Sequence, residues 1–148
     1  MSAEDIEGMR RIQASFCQYL DDGNIEGVLS LFTEDGKVHG GGKTYNGREE
    51  IKRFFEDSYS GWAPGTQQLH TLSDPVFKIA AGGLTAECVT NLTNFRCHEL
   101  GTWTLNLVDR HHDRYRKVDG KWLCSEKGME ERGSFRRRSA VPPNPLSI

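Results

Sequence analysis

The chain has 148 residues, 19 Lys and Arg against 21 Asp and Glu, and a formal net charge of −2. This length suits one domain able to enclose a core and a cavity, and the balanced charge gives no electrostatic reason to expect nucleic acid or an anionic membrane as partner. A hydrophobic share of 36% beside 27% charged residues argues against disorder, and no apolar run approaches the roughly 18 residues of a spanning helix.

The opening Met1-Ser2-Ala3-Glu4-Asp5-Ile6 is acidic and leads into an amphipathic stretch, unlike a secretory signal. A cytoplasmic protein is therefore expected. Cys17, Cys88, Cys97 and Cys124 show no CxxC and no zinc spacing, so reduced, mostly buried thiols are expected. Asn91-Leu92-Thr93 matches the glycosylation sequon and is read as a chance match in such a chain.

Ile6, Met9, Ile12, Phe16 and Leu20 recur at spacings of three and four and predict a helix with one apolar face. Asp21-Asp22-Gly23 ends it, because glycine accepts the left-handed turn. Asn24 is a candidate N-cap for a second helix burying Ile25, Val28, Leu29 and Phe32. A short strand over 36–39 runs into Gly40-Gly41-Gly42. Asn46 and Glu49, at capping-box spacing, start a third helix whose apolar face is Ile51, Phe54, Phe55 and Tyr59.

After Gly61-Trp62-Ala63-Pro64-Gly65 the helical period stops. Four long strands are predicted at about 66–80, 84–99, 102–118 and 121–132. Ala81-Gly82-Gly83 and Asp119-Gly120 are strong hairpin signals, and Leu100-Gly101 a weaker one. The predicted class is α+β: three N-terminal helices packed in a curved antiparallel sheet, spanning 1–134. The remaining 135–148, with Arg136-Arg137-Arg138 and three prolines, is an irregular C-terminal tail or an arm on a neighbour. Leu105, Leu107 and Val108 lie mid-sheet on a face that three short helices cannot cover, which predicts a homo-oligomer.

Several motifs invite chemistry. His111 and Asp113 share a strand face, and with His70 or His98 could make a metal triad, but no spacing demands it. A polar sheet face, or His111 or His112 as a secondary acid–base group, is the alternative. His39-Gly40-Gly41-Gly42 lacks the GxSxG companion of a lipase oxyanion loop, and Gly40-Gly41-Gly42-Lys43-Thr44 lacks phosphate-loop spacing. It is read as a turn. No cofactor and no metal is expected. Phe16, Phe54, Trp62, Phe95 and Trp103 are candidate pocket-lining residues, with Phe77 a further aromatic of the same kind.

Four stretches carry a family likeness across roughly residues 4–132. They are Phe16-Cys17-Gln18-Tyr19-Leu20-Asp21-Asp22-Gly23-Asn24 with Leu31-Phe32-Thr33-Glu34-Asp35-Gly36; Tyr45-Asn46-Gly47-Arg48-Glu49-Glu50-Ile51; Leu69-His70-Thr71-Leu72-Ser73-Asp74-Pro75-Val76; and Arg110-His111-His112-Asp113-Arg114-Tyr115-Arg116-Lys117-Val118-Asp119-Gly120-Lys121-Trp122. In order and spacing the chain resembles the SnoaL-like branch of the nuclear transport factor two-like superfamily. That resemblance implies a cone-shaped fold with a hydrophobic pocket at one end. Relatives include scytalone dehydratase, hexachlorocyclohexane dehydrochlorinase, ketosteroid isomerase and polyketide cyclases, most of them cofactor-free, as well as non-enzymatic binding modules.

By the same resemblance, Asp21 and His70 stand where dehydratases and dehydrochlorinases keep a catalytic aspartate and histidine. The family's tyrosine one turn earlier is Phe16 here, with Tyr19 nearby. Arg110, His111, His112, Arg114 and Tyr115 are candidate secondary polar groups on the later strands. The plainer alternative makes Asp21 a solvated helix-end carboxylate and His70 a packed strand histidine. The resemblance thus implies a cofactor-independent lyase or isomerase using an Asp–His acid–base dyad on a small hydrophobic cyclic or aromatic molecule, in a trimer or dimer. A binding or assembly protein, or the small subunit of a ring-hydroxylating oxygenase, are the alternatives.

Overall fold

The computed structural model describes residues 2–134 other than Gly61 and Leu100, with the side chains of His98, Glu99 and Ser134 also left aside. The Leu100 half of the expected Leu100-Gly101 turn, the His98 side chain offered as a metal ligand, and the Arg136-Arg137-Arg138 tail lie outside the described residues.

Helix α1 (Ala3–Asp21) begins at an N-cap the sequence reading passed over: Ser2 Oγ accepts from the Asp5 N–H at 3.1 Å. It buries Met9, Ile12, Phe16 and Leu20, the predicted apolar face. Gly23 has φ 66° and turns the chain out of the helix. Asn24 then caps α2 (Ile25–Ser30), its Oδ1 accepting from the Gly27 N–H at 2.8 Å. A Cβ on Gly27 would lie 2.8 Å from Tyr19 Cγ, so the tyrosine ring rests on α2 backbone.

Strand β1 (Phe32–Gly40) starts four residues earlier than predicted, and Phe32, expected on the second helix, opens the strand fully buried. A strand the sequence did not announce, β2 (Lys43–Asn46), returns after the Gly41-Gly42 turn. Helix α3 (Gly47–Tyr59) has Asn46 as its cap residue without a side-chain cap bond; instead Glu50 Oε2 accepts from the Asn46 N–H at 2.7 Å. The four long strands are β3 (Gln67–Ile79), β4 (Thr85–Glu99), β5 (Thr102–Val118) and β6 (Lys121–Ser134).

The six strands run in the order β2-β1-β6-β5-β4-β3. The pairings within the long meander are antiparallel, as expected, but β1 pairs with β6 in parallel, so the sheet is mixed. No tight turn joins these two strands; the carbonyl of Leu31, between α2 and β1, accepts from the Cys124 N–H at 2.8 Å. The α+β class holds: three helices lie in a curved sheet, and Phe16, Phe32, Val28, Val38, Ile51 and Tyr115 form the contiguous core between them.

All four cysteines are buried. Burial pushes the Cys17 and Cys88 thiols up to about 11, which keeps them protonated and unreactive at neutral pH. Among the described residues no helix is long and apolar enough to cross a membrane.

Candidate active site

Two elements meet at the end of α1. Asp21 is its last residue, and one carboxylate oxygen, Oδ1, accepts from both the backbone N–H of His70 at 2.9 Å and its Nδ1 at 2.8 Å. The helix terminus is thereby fastened to β3 twice. The preceding carbonyl, Leu20, accepts from Tyr59 Oη and from Gln68 Nε2, each at 2.7 Å, besides the Gly23 N–H at 3.1 Å. Burial pushes the Tyr59 phenol up to about 12, so it is a neutral donor. The side chains of His70 and Asp21 are only 11% and 18% exposed.

The surrounding amides fix the histidine tautomer. Gln68 must present its nitrogen to the Leu20 carbonyl, so its Oε1 faces the other way, 3.5 Å from Asn94 Nδ2. Asn94 Oδ1 accepts from Asn106 Nδ2 at 2.7 Å. Its Nδ2 therefore donates to His70 Nε2 at 3.1 Å, which must carry a lone pair. The proton sits on Nδ1 and is donated to Asp21. Sequence reading missed Gln68, Asn94 and Asn106, because buried amides on strands look like ordinary polar positions; only their inward parity with His70 marks them.

His70 and Asn94 stand on the wall of a cavity of about 410 Å³. Of the five aromatics read from the sequence as pocket-lining candidates, Phe16, Phe54 and Trp62 line it, whereas Phe95 and Trp103 do not. Phe95 pairs with Leu69 and Leu105 on the outer face, and Trp103 is 45% exposed. The reason is parity: Asn94 points inward, so its neighbour Phe95 points out. Phe77 packs against the core away from the cavity. Leu107, grouped by sequence with an exposed patch, also lines the cavity; Leu105 and Val108 remain partly exposed outside.

The same alternation divides the candidates on β5. His111 and Tyr115 are buried, while Arg110, His112 and Arg114 are exposed. His112 pairs with Glu130 at 3.0 Å, Arg110 donates to Asn91, and Arg114 bonds Glu126 at 3.2 Å, so none of the three serves the cavity. Tyr19 lies over Gly27 rather than at the dyad. Tyr115 donates to Asp113 Oδ2 at 3.0 Å within the core, and its burial holds the phenol far above its usual range.

His111 does line the cavity, beside Asp109. Behind it lies an ion pair that sequence reading missed. Lys127 Nζ is 2.7 Å from Asp113 Oδ2, 3.5 Å from His111 Nδ1 and 4.4 Å from the centre of the Phe16 ring. Burial pulls the Lys127 ammonium down, but the facing Asp113 carboxylate, together with Cys124 and Cys17, holds it above the ordinary lysine value. Burial, then the lysine charge, holds His111 below the ordinary histidine value, so it is neutral at pH 7. Among the described residues no three His, Cys, Asp or Glu side chains form a metal-holding group.

The SnoaL-like domain family matches residues 1–127, most of the chain. The chain belongs to the SnoaL-like family. Solved structures agree on the fold. A nuclear transport factor two-like protein with a cystatin-like fold from Novosphingobium aromaticivorans is 24% identical, with TM-score 0.75, over 94% of this chain and 90% of that one. ActVI-ORFA from Streptomyces coelicolor is 18% identical, with TM-score 0.78, over 86% and 97%. A Catenulispora acidiphila protein in complex with S-DNPA is 19% identical, with TM-score 0.76, over 88% and 95%. No curated protein matches the sequence.

Proposed function

We propose that this SnoaL-like protein is a cofactor-independent lyase or isomerase acting on a small hydrophobic cyclic or aromatic molecule through Asp21 and His70. The observation that carries this reading is the Asp21–His70 contact at 2.8 Å, with His70 on the wall of an open cavity that mixes aromatic and polar side chains. The geometry suits a proton transfer. His70 Nε2 is the lone-pair nitrogen and takes a proton from a carbon beside a carbonyl or a leaving group. The C–H electron pair moves into the carbonyl or expels the leaving group. Asp21 stabilises the imidazolium that forms and holds its orientation. The proton then returns to another carbon in an isomerisation, or leaves with hydroxide as water in a dehydration.

The Asn94 amide donates to Nε2, so a substrate C–H must displace it from that lone pair. Asn94 then faces the substrate as a donor. A filled cone or an outward His70 would favour a binding or assembly role; an open cavity with His70 on its wall supports the catalytic reading.

The test is a pair of variants assayed on a substrate found by screening cyclic ketones, hydroxylated aromatics and polyketide-like compounds. Asp21→Asn keeps the shape and removes the charge; His70→Ala removes the base. Each is expected to cut turnover at least about a hundredfold, with the double variant little worse than the worse single one. Near-full activity in both single variants would reduce Asp21–His70–Asn94 to a structural fastening.

A further inference from the structure

Strand β5 carries an extra residue next to the dyad. The β4–β5 register slips between Asn94 and Phe95: Asn94 faces Leu107 and Phe95 faces Leu105, so Asn106 has no residue opposite it. A bulge of this kind re-aims a side chain. Leu107 lines the cavity, while Asn106 beside it is buried and turned onto Asn94.

A carboxamide can turn end for end within nearly the same volume, so the direction of a buried row of amides is decided by groups that cannot turn. One end of this row meets such a group. The Leu20 carbonyl can only accept, and it takes the Gln68 Nε2–H at 2.7 Å. Gln68 Oε1 then faces Asn94 Nδ2 at 3.5 Å, and the Phe95 carbonyl faces the same nitrogen at 3.5 Å. Both contacts are at the limit of hydrogen-bond length and hold weakly. The strong hold is on the other atom, where Asn106 Nδ2 donates to Asn94 Oδ1 at 2.7 Å.

Turning Asn94 alone would set its NH₂ against that of Asn106, donor against donor. Turning both amides together would set Asn94 Oδ1 against the Gln68 and Phe95 oxygens. The observed direction is held from both sides, and it aims an N–H at His70 Nε2, 3.1 Å away. In the reverse direction an oxygen would face Nε2. With the Asp21 carboxylate on Nδ1, that oxygen would favour a proton on both nitrogens. A doubly protonated ring has no lone pair and cannot act as a base.

We propose that Asn106 is a positioning residue for His70. By gripping Asn94 Oδ1 it keeps a donor, and not an acceptor, on His70 Nε2, and so keeps that nitrogen free of a proton. The link from this grip to turnover rests on the reading of Asp21 and His70 as an acid–base pair; the direction of the amide row does not. A bulge amide that only filled space would affect stability and leave the imidazole unchanged.

The experiment reads the His70 ring of the full, ligand-free chain by imidazole ¹⁵N spectra, its signals assigned by their loss in His70→Ala. The wild type at pH 7 is expected to show Nδ1–H with Nε2 unprotonated, and a ¹⁵N–¹⁵N coupling across the hydrogen bond from Asn94 Nδ2 to Nε2. Asn106→Asp sets an acceptor-only group against Asn94, draws Nδ2 to itself and turns Oδ1 to the ring. Both ring nitrogens should then carry protons at pH 7, and the coupling should vanish. A new buried carboxylate can prevent folding, so Asn106→Leu, which keeps the volume and removes the donor, is the second variant. Its coupling should weaken or vanish, and its ring should become doubly protonated at a roughly tenfold lower proton concentration than in the wild type, the worth of about one hydrogen bond. A wild-type ring protonated on both nitrogens at pH 7 would overturn the proposal. So would a folded Asn106→Leu whose ring spectra match the wild type at every pH. Spectra that change as expected, in a chain that moves no carbon-bound hydrogen, would support the positioning role and count against the proton-transfer reading alone.

Discussion

Lys127→Met is the most informative test of how the interior is held. The Lys127 and Asp113 side chains are 3% and 0% exposed, with nitrogen and oxygen 2.7 Å apart. At an effective dielectric of about 20 their attraction is roughly 6 kcal/mol. Removing two ions from water costs several kcal/mol each, so the intact pair is close to neutral for stability. The variant breaks that balance. It keeps the buried carboxylate and leaves only the Tyr115 hydroxyl to satisfy it. The expected loss is about 3–5 kcal/mol, a large part of the ~5–15 kcal/mol that holds a domain of this size. Urea denaturation followed by circular dichroism at pH 7 measures it. Adding Asp113→Leu and Tyr115→Phe should recover most of the loss, since the orphaned charge and its donor go together. A single-variant loss under about 1 kcal/mol would refute the reasoning, because it would mean that Asp113 is hydrated and the pair is not interior.

Three other outcomes follow from the same geometry. His111 is held below the ordinary histidine value of about 6.5, so the unfolded chain takes up a proton there that the folded chain refuses; stability should therefore fall as pH drops below about 6.5, by up to ~1.4 kcal/mol per pH unit, and His111→Gln should lose that share of the slope in urea titrations at pH 7.5, 6 and 5. Asp5 accepts from Lys117 Nζ at 2.6 Å and Trp122 Nε1 at 2.9 Å, and the lysine bond above all holds its carboxyl far below the usual range. Its contribution is present above the unfolded value of about 3.9 and is lost as pH falls further, so Asp5→Asn should lower the Tm at pH 7 and narrow the gap to wild type at pH 3. Leu107→Trp places a large side chain in the cavity and should abolish the turnover assigned to Asp21 and His70 while leaving the circular dichroism spectrum unchanged.

Much of this was legible in the residues, and the remainder has definite physical causes. The apolar spacing of α1, the Asn24 cap and the Gly82-Gly83 and Asp119-Gly120 turns are local signals, and local physics decides them. The β1–β6 pairing joins residues such as Val38 and Lys127 that no turn connects, so nothing local shows its direction. Parity decided the site. In Arg110-His111-His112-Asp113-Arg114-Tyr115 every second residue faces inward, and composition alone does not say which set. Lys127 looks like a solvated strand charge. Yet counting outward from the Asp119-Gly120 turn pairs Val118 with Lys121 and, past one bulge, Asp113 with Lys127. That cross-strand match of opposite charges was the available clue. Asp21 and His70 came from family likeness, since no spacing within the chain joins a helix end to a strand.

The central claim is that His70 takes a proton from carbon, and hydrogen exchange at carbon tests it before any product is known. Cyclic ketones and hydroxylated aromatic ketones are incubated with the protein in D₂O, and deuterium uptake is followed by mass spectrometry. The wild type is expected to accelerate exchange at one carbon position of at least one compound, with Asp21→Asn and His70→Ala at least about a hundredfold slower at that same position. Exchange that proceeds equally in wild type and His70→Ala, or no exchange above the buffer rate in any compound of the panel, would contradict it.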